Sequence, residues 1–269
     1  MTTITTSSVL VAIPVMQREF NTTLLLVSWI PIVFLLTNVI MLLHGGRFGD
    51  TYGTKKVYGL GFSLFIIGSL LCSLSYNVEQ LIFFRIIQAS GAAFTISNHS
   101  SFLTRIFPSG ERGKIMGAQS MVAQIGLTAG PFIGGLLIET YSWRSIFYFG
   151  FLLGVLGIIT FHLIVKDDLM ICGKAQKFDI IGGLLLALSA STLVLLANPA
   201  TFGSNLSATI FLAMMGFIGL LVFLFFEYRL AGDPILDLNL YKNRTFSGSN
   251  IASITNAAST FSLIFLTPL

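Results

Sequence analysis

The sequence predicts an all-α integral membrane protein, and three observations carry that prediction. The 269-residue chain is 54% hydrophobic and only 10% charged, against about 25% charged residues in soluble domains, and its mean hydropathy is +0.87. Apolar runs recur at close to the length that crosses a bilayer, about 20 residues. They lack two-residue alternation, so helices are expected and not an outer-membrane barrel. Glycine, at 26 residues, suits this class, because small residues let membrane helices approach closely.

Taken in order, spans are expected at about 2–16, 27–44, 57–75, 80–104, 114–138, 145–165, 180–198, 207–228 and 246–269. The first is short and starts almost at Met1, and the last reaches Leu269 with no loop after it, so both ends read as cut. The connections 44–56, 105–114, 166–179 and 229–245 hold Arg47, Lys55, Lys56, Arg105, Arg112, Lys114, Lys166, Lys174, Lys177, Arg229, Lys242 and Arg244, twelve of the fifteen basic residues. The opposite connections hold Arg18 and Arg144, and Arg85 lies within a span. This positive-inside bias predicts a multi-pass protein of the plasma (cytoplasmic) membrane with its N-terminus in the cytoplasm. Lipid binding is the alternative use for those charges, but their even spread favours topology. The net charge of +4 then implies no nucleic acid partner. Cys72 in a span and Cys172 in a loop form neither a disulfide framework nor a metal site. No basic leader or small-residue cleavage site opens the chain, so no signal peptide is expected.

Between the second and third spans lies Gly46–Lys56, GRFGDTYGTKK. It reads as a charged, glycine-punctuated loop on the cytoplasmic side, a moving part more than a catalytic one. In the fourth span Arg85, Gln88, Ala92, Thr95 and His99 recur at helical spacing on one face. An arginine inside a membrane span costs about 2.5 kcal/mol or more unless it meets protein or water. The stripe is therefore expected to face a polar cavity and to serve a substrate or proton pathway. The other reading makes Arg85 a brace for the bundle and His99 a packing residue.

The fifth span has two faces. Gly126, Gly130 and Gly134 form a small-residue ridge for close packing, and Pro131 removes the hydrogen bond to the Leu127 carbonyl, which should bend the helix. Ser120, Gln124 and Thr128 lie on roughly the other side and are expected to meet a cavity. The first span is rich in hydroxyls but has no acidic residue, and none of the eleven acidic residues sits deep in a span. Thr37 and Asn38 on the second span either add cavity donors or tie neighbouring helices together. No catalytic motif, phosphate loop or dinucleotide fingerprint occurs, so neither an enzyme nor a cofactor is expected.

These residues resemble the major facilitator superfamily. Gly46, Asp50, Gly53 and Lys55 match that family's signature GxLaDrxGrkx between the second and third helices, with Thr51 and Thr54 standing where arginines are common. Leu81, Arg85, Gln88, Gly91, Ala92 and Ala93 resemble its fourth-helix motif, with Ala89 in place of a usual glycine. Gly126, Gly130, Pro131, Gly134 and Gly135 match gxxxGPxxGG, a pattern similar to the antiporter signature of exporters. More narrowly, the chain is similar to the fourteen-helix drug:proton antiporter branch. Trp29, Trp143-Arg144 and two extra helices introduced by Phe178-Asp179 and Gly182-Gly183 fit it. In the pattern lDxTivnvAlP of that branch, Thr5 occupies the acidic position.

The resemblance implies an N-terminal six-helix bundle over 1–165, two linker helices with flanking loops over 166–245, and the first helix of a truncated C-terminal bundle over 246–269. It further implies multidrug or small-molecule efflux by proton-coupled alternating access. A conformational switch of Gly46, Arg47, Asp50, Gly53, Lys55 and Arg112 follows, in which Arg112 pairs with Asp50. The pathway residues are Arg85, Gln88, Thr95, His99 and Gln124. Partners are a small-molecule substrate, protons, the lipid bilayer and the missing C-terminal bundle. The alternatives are a carrier for another solute such as a metabolite or siderophore, an inactive fragment, or a non-transporting membrane scaffold.

Overall fold

The computed structural model describes residues 1–165, positions 182–183, 185–186, 188–189 and 191–192, and residues 206–229 and 242–266. The expected connection 166–179, much of the expected 180–198 helix and residues 230–241 lie outside the described residues. Among the described residues every regular element is helical. The helices are α1 (Thr2–Glu19), α2 (Leu24–Tyr52), α3 (Thr54–Ser73), α4 (Val78–Ile106), α5 (Arg112–Thr140), α6 (Arg144–Ile164), α7 (Leu206–Arg229) and α8 (Arg244–Leu266). The described positions between 182 and 192 are helical as well.

Local chemistry sets several helix starts. Thr23 caps α2 by accepting from the Leu26 amide at 3.4 Å. Asn77 caps α4 by accepting from the Gln80 amide at 2.8 Å, while the Gln80 side chain accepts from the Tyr76 amide at 3.1 Å. Both arrangements satisfy amides that a helix start leaves without a partner. Asn21 turns the chain between α1 and α2 with φ 48°, a conformation asparagine tolerates better than most residues.

The largest departure from the sequence reading is at Gly46–Lys56. It is not a loop: α2 continues through Gly45, Gly46 and Gly49 to Tyr52, and α3 begins at Thr54. Only Gly53 breaks the helical run, with φ 97° and ψ 126°, a conformation that disfavours any side chain. Gly45 and Gly49 are there for contact with α4. A Cβ on Gly49 would lie 1.6 Å from Asn98 Oδ1, and one on Gly45 would lie 2.3 Å from Ser97 Oγ. Asn98 Nδ2 donates to the Gly45 carbonyl at 2.8 Å and fixes that approach. Nothing near Gly46 explains its lack of a side chain.

Helices α1–α6 pack together, most extensively α3 with α4, α2 with α4, α1 with α5 and α3 with α6. One apolar core, around Met16, Ile30, Leu81, Trp143 and Phe147, lies towards the end holding the α1–α2, α3–α4 and α5–α6 turns. A second joins Phe34, Phe65, Ala89 and Ala92 further along the bundle. Outside the bundle, Gly183 meets the His44 ring of α2 and Gly219 of α7 meets Ser189.

Five described helices are long and apolar enough to cross a membrane: the segments Leu24–Leu42, Thr54–Ser73, Arg112–Thr140, Arg144–Ile164 and Thr209–Phe226. Helices α1, α4 and α8, where spans were also expected, are not among these five. In α1 and α4 the reason is burial. Thr5, Ser7, Ser8, Arg85, Gln88, Thr95 and Asn98 are all buried, so their polarity faces protein and not lipid. Many of the hydroxyls return their hydrogen to the preceding turn, as Thr6 does to the Thr2 carbonyl at 2.8 Å, which removes a donor that lipid cannot satisfy.

Candidate functional site

Arg85 is the most buried charge in the bundle, with no exposed surface. Its Nη1 donates to Gln88 Oε1 at 2.7 Å, and its Nε donates to the Ile30 carbonyl at 3.4 Å. Gln88 Nε2 passes the chain on to Ser69 Oγ at 2.8 Å, and Ser69 donates to the Phe65 carbonyl at 2.7 Å. The guanidinium carbon lies 4.3 Å from the Phe34 ring centre and 5.6 Å from that of Phe147, so two aromatic faces receive part of its charge. Nη2 has no hydrogen-bond partner. Among the described residues no carboxylate pairs with Arg85.

The predicted stripe on α4 therefore divides. Thr95 and His99 line a cavity of about 580 Å³, whereas Arg85 and Gln88 lie inside the packed bundle and do not. The cavity is walled by Thr2 and Thr3 of α1, Tyr58 and Phe62 of α3, Gln119 and Gly126 of α5, and Leu153 and Gly157 of α6. His99 Nδ1 and Tyr58 Oη lie 3.1 Å apart. Sequence reasoning missed Gln119, although it stands two helical turns before Gly126 and so shares the face of the glycine ridge. Tyr58 carried no sequence signal at all. Gln124, with Ser120 and Thr128, is exposed and lies off this cavity.

The glycine ridge of α5 faces α1. Cβ atoms on Gly126, Gly130 and Gly134 would lie 2.6 Å from Thr3 Oγ1, 1.8 Å from Ser7 Oγ and 2.7 Å from Ser8 Cβ. Ser8 Oγ also donates to the Gly130 carbonyl at 2.6 Å. The hydroxyls of α1 and the missing side chains of α5 are thus one interface. Gly135 has open space around it, and Pro131 sits within a helix that continues to Thr140.

The switch residues lie at the other end of the bundle. Arg47 is buried and Asp50 half-buried on the last turns of α2. Lys55 Nζ donates to the Val165 carbonyl at 2.9 Å and so caps the end of α6. Arg112 donates to the carbonyls of Thr104 at 2.8 Å and Phe107 at 3.3 Å. It therefore closes the α4–α5 turn, and among the described residues it is not paired with Asp50, contrary to the contact that the resemblance implied. At the opposite end Glu19 forms an ion pair with Arg144 and accepts from Trp143 Nε1 at 2.6 Å, while Arg144 Nη2 donates to the Ser75 carbonyl at 3.1 Å. That cluster ties α1, the α3–α4 turn and α6 together.

The Major Facilitator Superfamily profile matches residues 1–269. Riboflavin transporter RibZ of Clostridioides difficile (strain 630) is 33% identical over 100% of this chain and 57% of that protein. Methylenomycin A resistance protein of Bacillus subtilis (strain 168) is 32% identical over 93% of this chain and 53% of that protein. Putative multidrug resistance protein MdtD of Klebsiella pneumoniae is 29% identical over 100% of this chain and 56% of that protein. The chain thus spans a little over half the length of these relatives. A crystal structure of the peptide transporter POT in complex with sulfate superposes with a TM-score of 0.53 at 17% identity, over 85% of this chain and 52% of that one, a likeness of fold alone. With the profile matched from end to end and an all-helical bundle beneath it, the chain belongs to the major facilitator superfamily.

Proposed function

We propose that this chain forms the N-terminal bundle of a small-molecule exporter that works by proton-coupled alternating access. In this reading residues 1–165 are the bundle, 166–245 contain the linker helices, and 246–269 start the opposing bundle. The protein sits in the cytoplasmic membrane with its N-terminus and the Gly53 corner in the cytoplasm. The observation that carries the reading is the ridge Gly126, Gly130 and Gly134, seated directly on the hydroxyls of α1. It gives the gxxxGPxxGG pattern a packing role of the kind an exporter motif needs. Relatives named for methylenomycin and multidrug resistance add support.

Asp50 and Arg47 bias the two-state equilibrium from the C-terminal end of α2, by about 1–3 kcal/mol, the usual size of a coupling contact. The test is Asp50→Asn in the carrier that contains this chain. Export of a dye or drug from everted vesicles should be lost while membrane insertion is unchanged. Normal efflux by that variant overturns the switch role.

A second reading is supported by the relative named as a riboflavin transporter. It makes the substrate a metabolite. Labelled riboflavin flux, measured with and without competing drugs, decides between the two: drug-insensitive riboflavin movement favours the metabolite carrier.

A further inference from the structure

Among the described residues the cavity holds one hydrogen-bonded pair of titratable side chains, and each comes from a different helix. Tyr58 of α3 and His99 of α4 approach to 3.1 Å, with ring centres 6.1 Å apart and planes inclined by 28°. Tyr58 has little freedom to leave. Phe102 stacks on it at 5.5 Å, and Phe62 and Phe161 meet it at 5.3 and 5.0 Å. The groups that face the pair from each wall are few. Met1 lies just before α1, α5 contributes the uncharged amide of Gln119, and α6 the uncharged Leu153 and Gly157. His162 neighbours Phe161 but is exposed. No carboxylate lines the cavity among the described residues, and Thr5 is a threonine that is buried in the bundle. An imidazole is the side chain whose ordinary titration range spans neutral pH.

We propose that His99 is the proton-binding group of this bundle and that the Tyr58 hydroxyl reports its state to the cavity. A neutral imidazole with a bare Nδ1 accepts the phenol hydrogen. When a proton from water binds at Nδ1, that nitrogen becomes a donor. The phenol oxygen must then accept, and its own O–H turns to another acceptor in the cavity. One proton is taken up, one N–H bond forms, and the Tyr58–His99 hydrogen bond reverses direction. The cavity thereby exchanges an occupied donor for a free one without movement of the backbone. The proposal deepens the proton-coupled reading given above, but proton binding itself is measurable without transport.

The test uses the chain in lipid nanodiscs with ¹⁵N-labelled imidazoles, followed by NMR from about pH 5 to about pH 9, the range in which histidines titrate. Histidine signals from His44, His99 and His162 are separated with His99→Gln. A titrating signal should vanish in that variant. In Tyr58→Phe, which keeps the aromatic cluster, its midpoint should move by about half a pH unit, a threefold change in proton affinity. A His99 signal that stays constant across the range overturns the proposal. So does a midpoint that Tyr58→Phe leaves in place, because the hydroxyl then carries no report. If His99 titrates as expected but flux through the complete carrier ignores the proton gradient, the proton-coupled transport reading fails and this site stands.

Discussion

Arg85 illustrates how a charge is held where lipid would reject it. Two aromatic faces, one amide and one backbone carbonyl surround the guanidinium, and Nη2 is left without a partner. The sequence marked this residue as costly, because an arginine within an apolar run survives only where protein or water surrounds it, but it put Arg85 beside a polar cavity, whereas the side chain is enclosed by the packed bundle. Where it points was not legible. Helical spacing places Arg85 and His99 on one face, yet a helix of 29 residues is about 43 Å long, so one face meets different neighbours at its two ends. Two substitutions separate charge from bulk. Arg85→Met keeps most of the volume and removes the charge; it should unfold in detergent within about 1 kcal/mol of the parent, since apolar replacement of a buried charge is often neutral. Arg85→Ala leaves a cavity and should cost about 3 kcal/mol or more. Both should reduce transport at least tenfold if the guanidinium serves the pathway; a Met variant with full transport makes Arg85 a brace.

At the scale of the element, glycine was the hardest residue to read. Gly45, Gly49 and Gly53 look alike in the string GGRFGDTYG, but two of them let α4 approach α2 and one turns the chain. A charged stretch with four glycines reads as a loop because the partner that makes Gly45 and Gly49 useful, Asn98 and its neighbours on α4, is about fifty residues away. The ridge on α5 was legible because its four-residue spacing is itself a packing signal, although the spacing did not say that α1 would supply the other half. Two adjacent positions test that interface. Gly134→Ala puts a Cβ 2.7 Å from Ser8 Cβ and 3.0 Å from Ser8 Cα, so α1 must move away. Overpacking of this kind costs about 1–3 kcal/mol. Gly135→Ala adds the same atom to open space and should change stability by less than about 0.5 kcal/mol. Thermal unfolding of the two variants side by side reads the difference; equal losses would mean that the ridge is not a contact surface.

For the whole molecule, alternation of charge between connections was the clearest sequence signal of all, and it depends on no side-chain geometry. It predicts that the α3–α4 turn and the α4–α5 turn lie on opposite sides of the membrane. With Cys72 and Cys172 replaced, Tyr76→Cys should react with an impermeant maleimide from outside intact cells, and Ser109→Cys only after the membrane is opened. Both parent residues are exposed, so access is limited by the bilayer alone. Equal labelling from one side would reverse the topology. The seams between helices have a mechanical consequence of their own. Gly61 and Gly91 bring α3 and α4 together, Gly45 and Gly49 seat α2 on α4, Gly130 and Gly134 seat α1 on α5, and Gly150 meets Thr5 across α1 and α6. Between α2 and α4, α1 and α5, and α1 and α6 a projecting side chain is set into a notch that one extra methyl would fill, whereas α3 and α4 meet backbone against backbone. Packed surfaces of this kind resist gradual sliding and move in discrete steps or not at all. The six helices therefore mesh like gears with the clutch engaged, and any force applied at one end of the bundle is delivered at the other with little lost to slip.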